Sequence, residues 1–136
     1  MRIILGGLAR KCGKTTLACR ILALAPEKNW TAVKISHHAP DDGAAFTITE
    51  ESVPGPEGDT RRYLQAGAAR SFWLRGDLHA ALPHLNALLA HAENWIVEST
   101  TAIPALAHDF ALLVVDPANT GDDKLRSLLS GLQPER

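Results

Sequence analysis

Apolar and polar positions alternate between two rhythms along this chain. Residues 2–7 form a continuous apolar run closing on glycines, the pattern of a strand buried on both faces of a parallel sheet. Leu17, Ala18, Ile21, Leu22 and Ala25 then follow at helical spacing, predicting a helix over 14–24 that Pro26 ends. Residues 30–36 alternate and carry β-branched side chains, which predicts a second strand. The rhythm breaks over 37–58, where Pro40, Gly43, Pro54, Gly55, Pro56 and Gly58 predict a long loop. A strand-like patch at Phe46, Thr47, Ile48 and Thr49 allows that loop a small hairpin.

A short helix is expected over 60–66, capped by Asp59 or Thr60, and a third strand over 69–74. Leu78, Ala81, Leu82, Leu85, Leu88 and Leu89 make the clearest amphipathic stripe, over 77–92, with Pro83 predicting a kink or a late start. Residues 95–98 and 111–116 read as buried strands closing on Glu98 and Asp116. A last helix is expected over 122–132, before Pro134. Alternating strands and helices predict an α/β domain in three layers, a mainly parallel sheet of five strands flanked by helices.

The 136 residues suit a single domain, 1–136, with the 37–58 segment as its only insertion. Fourteen Lys and Arg balance fifteen Asp and Glu, which argues against a general nucleic-acid binder. No apolar run approaches the roughly 18 residues of a membrane span, and the N-terminal run is too short for a signal peptide. Two cysteines, Cys12 and Cys19, make no disulfide framework, so a reducing cytoplasm is expected.

The strongest chemical signal is Gly13-Lys14-Thr15-Thr16, set between the first strand and the first helix. In that setting the spacing approaches the phosphate-binding pattern G-x-x-x-x-G-K-[S/T], although Leu8 stands where its first glycine belongs and Gly7 precedes it. Gly13 lets backbone amides approach phosphates, and the helix N-terminus adds unpaired N–H groups. Lys14 is expected on the β and γ phosphates, and the Thr15 hydroxyl on Mg²⁺. Arg10 and Lys11 add charge within the loop. Cys12 reads either as a thiol activated by the helix end or as a small residue replacing serine.

Acids at strand ends supply the partners such a loop needs. Glu98 is the expected group for magnesium or water positioning, and Asp116 a second. With no N-K-x-D sequence for guanine, Asp116 or Asn119 is the group expected near a base. His37 and His38 follow the second strand, at the sheet edge that carries the phosphate loop. They read as contacts to phosphate or a second ligand, as a metal pair completed by Asp41 or Asp42, or as a solvated loop pair. Arg62 is one turn into a helix and within reach of an anion, and Asp59 reads as a second-ligand contact or as no more than a cap, whereas Arg61 reads as solvated. His79, His84, His91 and His108 show no ligand spacing.

Taken together, G-K-T-T-L, the strand leading into Lys34-x-Ser36-His37-His38, Gly58-Asp59-Thr60-x-Arg62, Gln65-Ala66-Gly67-Ala68 and Val97-Glu98-Ser99 resemble the MobB-type molybdopterin-guanine dinucleotide biosynthesis proteins. The likeness covers about the first hundred residues in motif order. It departs at Leu8, at Ser36 where a histidine is common, and at Ser99 where glycine is usual. The resemblance implies a P-loop GTP-binding adaptor of molybdenum cofactor biosynthesis that hydrolyses GTP slowly with Mg²⁺, forms a homodimer and assists the molybdopterin guanylyltransferase. It favours GTP over ATP, a choice the residues leave open. The alternatives are an ATP-dependent phosphotransferase or ligase resembling dethiobiotin synthetase, with the long loop binding an acceptor, and a non-catalytic interaction module.

Overall fold

The computed structural model describes residues 1–7 and 13–114. Elements follow in the order β1 (Arg2–Gly7), α1 (Lys14–Leu24), β2 (Thr31–Ser36), β3 (Phe46–Glu51), α2 (Asp59–Ala66), β4 (Arg70–Gly76), α3 (Leu78–Ala90), β5 (Trp95–Glu98) and β6 (Phe110–Val114). A 3₁₀ turn, Pro26–Lys28, joins α1 to β2. The expected helix over 122–132, and Arg10, Lys11, Cys12, Asp116 and Asn119, lie outside the described residues.

One sheet carries all six strands in the order β3-β4-β2-β5-β1-β6. Every pairing is parallel except that of β3 with β4. This mixed α/β architecture agrees with the expectation from the sequence, with one addition. The patch at Phe46 is a full strand at the sheet edge, so five expected strands become six. Its partner is β4, which comes later in the chain, and Gly76 closes the pairing at a φ of 109° where a side chain would strike the Ala45 carbonyl.

Both faces of the sheet are covered, which is why β1, β2 and β5 are almost wholly buried. On one face Ile3, Leu5, Ala32 and Ile96 pack with Ala18 and Leu22 of α1 and Tyr63 of α2. On the other, Ile4, Val33, Phe72 and Val97 pack with Leu78, Ala81, Leu85 and Leu89 of α3. The alternation of each strand therefore sorts its residues between two cores, and the stripe read on residues 77–92 is the face α3 buries.

Two local expectations are corrected. Helix α3 starts at Leu78, ahead of Pro83, because Asp77 caps it by accepting from the backbone N–H groups of His79 (2.9 Å) and Ala80 (3.4 Å). Replacing Asp77 by Ala is expected to cost about 1 kcal/mol, while Asp77→Asn keeps most of that stability; paired thermal melts check it. Helix α2, in turn, has Gly58 at its N-cap position and no side-chain cap, so neither Asp59 nor Thr60 serves there. The Asp59 carboxylate is drawn instead to Lys34.

Candidate functional site

The parallel strands β1, β2, β4, β5 and β6 end at the same sheet edge, and α1 starts there. Gly13 precedes α1 with φ 96°, a left-handed conformation that costs glycine little and other residues more. Among the described residues a Cβ there would meet only Val114, at 3.9 Å, so the backbone angle is what favours glycine. The first turn of α1 contains no acid, and no side chain caps it. Among the described residues no carboxylate accepts from its leading N–H groups; Glu98 meets the helix start through the Thr15 hydroxyl instead.

Strand register builds the rest. Thr49, Trp73, Lys34, Glu98, Leu5 and Leu112 are successive partners across all six strands. Leu5 belongs to the core under α1 and α2, so Lys34 and Glu98 point into that layer. Two opposite charges thereby meet side by side in the middle of a sheet.

Glu98 is almost fully buried, at 1% exposure, and its two oxygens are shared among three donors. Oε1 accepts from the Thr15 hydroxyl at 2.6 Å and from the Tyr63 hydroxyl at 2.9 Å. Oε2 receives the Lys34 ammonium, which also contacts Asp59 Oδ2 at 2.9 Å. Four elements, α1, α2, β2 and β5, are joined at this one carboxylate. From α2, Arg62 reaches Thr16 Oγ1 at 3.4 Å.

These groups surround a cleft of about 790 Å³, lined by Gly13 to Thr16 on one side, by Lys34 to His38 on another, and by Asp59, Arg62 and Glu98. Among the expected site residues that are described, Gly13, Lys14, Thr15, Thr16, His37, His38, Asp59, Arg62 and Glu98 all line it. The Nε2 of His37 lies 3.2 Å from the Thr101 hydroxyl, which is not part of the cleft lining. Among the described residues no group of three His, Cys, Asp or Glu side chains is placed to hold a metal ion, so a histidine site completed by Asp41 or Asp42 finds no support. Asp41 lies instead 3.8 Å from Arg75.

Two members of the network, Lys34 and Tyr63, carried no assigned role in the sequence. For Lys34 the signal was its place in an alternating strand, on the inward face with Ala32. For Tyr63 it was a phenol on the inner side of a short helix.

Electrostatics follow from the packing. Burial pulls the Lys34 ammonium down, but hydrogen bonds to Asp59 and Glu98 and the charges of both carboxylates outweigh it and hold the group above its ordinary 10.5. Burial, then the Glu98 charge and hydrogen bond, push the Tyr63 phenol well above its ordinary 10.0. Both groups keep their protons more tightly folded than unfolded. Their contribution is complete below about pH 10 and is lost as pH rises through the folded values. Thermal melts between pH 8 and 11.5 should therefore fall steeply above pH 10, and Tyr63→Phe should flatten that fall. An equally steep fall in Tyr63→Phe and in a Lys34→Met variant would remove the network as its cause.

No helix of the described residues is long and apolar enough to cross a membrane. Compared with protein-family models, curated proteins and solved structures, the chain matches none.

Proposed function

We propose that the cleft binds the phosphates of a magnesium nucleoside triphosphate, in the manner of a P-loop protein, and hydrolyses it slowly. The observation that carries this reading is the meeting of Thr15, at the start of α1, with the end of β5 at Glu98, 2.6 Å apart. A helix N-terminus with uncapped N–H groups, a lysine at its first position and the Thr15 and Glu98 oxygens beside it are the parts needed to hold phosphate and a hard cation. Thr15 and Glu98 are oxygen donors suited to Mg²⁺, which keeps several waters and takes only one or two protein ligands. When bound, the ion would neutralise charge on the phosphate oxygens.

The chain's own residues supply the remainder. Lys14 and Arg62 bring positive charge to the cleft, whereas the Lys34 charge is shared by Glu98 and Asp59. In-line attack by water is favoured by such positioning and charge, with little else needed from the protein. Among the described residues of the cleft, no group stands ready as a fast base. Glu98 and Asp59 both face Lys34, so neither carboxylate is free to take a proton from water. Slow turnover follows from that arrangement.

The resemblance of the motif set to MobB-type proteins supports GTP as the nucleotide. It also supports an accessory role, as a homodimer, beside the molybdopterin guanylyltransferase of molybdenum cofactor biosynthesis. Calorimetric titration with GTP and ATP, each with and without Mg²⁺, tests the reading. Magnesium-dependent binding, tighter for GTP and with turnover that no small acceptor accelerates, is the expected result. A folded sample that binds neither nucleotide overturns it.

A further inference from the structure

The row that places Lys34 beside Glu98 continues outward to Trp73 on β4, the direct partner of Lys34. The next residues along, Ser36 and Arg75, are also partners and share that face. Helix α2 covers the inner part of β4, where the Ser71 hydroxyl donates to the Thr60 carbonyl at 2.8 Å. Beyond that point the face is open. Trp73 is 38% exposed, whereas Trp30 and Trp95 are 1% and 3% exposed.

This open indole is held in place. Its Nε1–H donates to Ser36 Oγ at 2.8 Å, and the Arg75 guanidinium lies 4.9 Å from the ring centroid. Arg75 is itself poorly satisfied. Its contacts to the Ala39 carbonyl and to Asp41 are long, at 3.5 and 3.8 Å, and its buried Nε has no hydrogen-bond partner among the described residues. A guanidinium in that condition, stacked on an aromatic ring, offers a planar fork to an oxyanion and a π surface to a ring. Ser36, which fixes the indole, also lines the cleft proposed for the nucleotide.

The geometry points to a second binding site on this face, for a planar aromatic or heteroaromatic anion whose ring stacks on Trp73 and whose carboxylate or phosphate meets Arg75. One strand spacing, roughly 4.8 Å, separates Trp73 from the strand of Lys34 and Ser36, which line the cleft, so the ligand lies at the edge of that cleft. The inference deepens the nucleotide reading by naming the class of second ligand, and rests on it only for that adjacency.

The test is a titration of the full chain with quinoline-2-carboxylate, followed through the three tryptophan indole N–H resonances, with Trp73 assigned by its loss in Trp73→Phe. Saturable movement of the Trp73 resonance is expected while those of Trp30 and Trp95 stay still. Quinoline, which lacks the anion, and acetate, which lacks the ring, should each bind at least about tenfold more weakly. Arg75→Gln should weaken the probe by a similar factor, and Lys14→Ala should leave it unchanged. Absence of a saturable shift overturns the site, as does equal movement with acetate, or loss of the shift in Lys14→Ala, which would put the probe among the phosphates. Because the Lys14 variant is an arm of the test, failure of nucleotide binding and failure of this site are read separately.

Discussion

Glu98→Ala is expected to unfold at a much lower temperature than the parent chain and to lose nucleotide binding with it. The carboxylate joins Thr15, Tyr63 and Lys34 at one point, and it is 1% exposed. Its removal leaves the Tyr63 hydroxyl buried without an acceptor and Lys34 with Asp59 alone. Breaking one partner of a buried ion pair costs about 3–5 kcal/mol. For a chain of this size that is roughly 10–20 °C in melting temperature. Glu98→Gln keeps the shape and an acceptor for Thr15, so its loss of stability should be clearly smaller while metal-dependent binding still suffers.

A paired variant separates folding from function. Lys34→Met with Glu98→Leu removes both members of the central ion pair, so part of the lost stability should return, while the Tyr63 hydroxyl stays without this acceptor and Asp59 loses this cation. Binding should not return, because the oxygen beside Thr15 is gone. Denaturant melts and titration of the same samples check both halves. A Glu98→Ala chain as stable as the parent would show that the carboxylate does not hold these four elements together.

What the sequence allowed one to read, and what it hid, have separate physical causes. Periodicity reveals which face of an element is apolar, and it located α1, α3 and the central strands because their burial is strong and regular. Strand order is not periodic information. W-I-V-E and T-A-V-K-I-S each show a charge near a strand end, but only the adjacency of β2 and β5 turns Lys34 and Glu98 into a pair. The same ignorance hid Trp73 as their neighbour. Strand β3 was hard to read because its sequence, F-T-I-T-E-E, alternates weakly and belongs to a half-exposed sheet edge amid prolines and glycines. The Asp59 cap failed for a related reason. An aspartate ahead of a helix suits a cap locally, but the Lys34 ammonium, brought near by tertiary structure, is the stronger partner. By contrast, the start of α1 at Gly13 and Lys14 was legible because its conformation is local: a left-handed glycine and a helix start need no distant partner.

Lys14→Ala tests the phosphate contact proposed for that helix start. Lys14 is the first residue of α1 and only half-buried, in a turn whose helix continues without it. Alanine is the best helix former, so stability should change by no more than about 0.5 kcal/mol. Affinity should respond very differently. A lysine on the β and γ phosphates makes charge-assisted contacts, of which losing one or two is worth about 3 kcal/mol, or roughly a hundredfold in the dissociation constant. Arg62→Ala should lose less, because the guanidinium contacts Thr16 only at 3.4 Å and sits at the cleft's side. Lys14→Arg tests charge against shape: if the site needs a compact ammonium against phosphate, the bulkier planar fork restores only part of the affinity. Calorimetry on matched samples, each shown folded by its melt, gives the comparison. Undiminished nucleotide affinity in Lys14→Ala would mean that phosphates do not rest at the start of α1, and the nucleotide reading would fall with them.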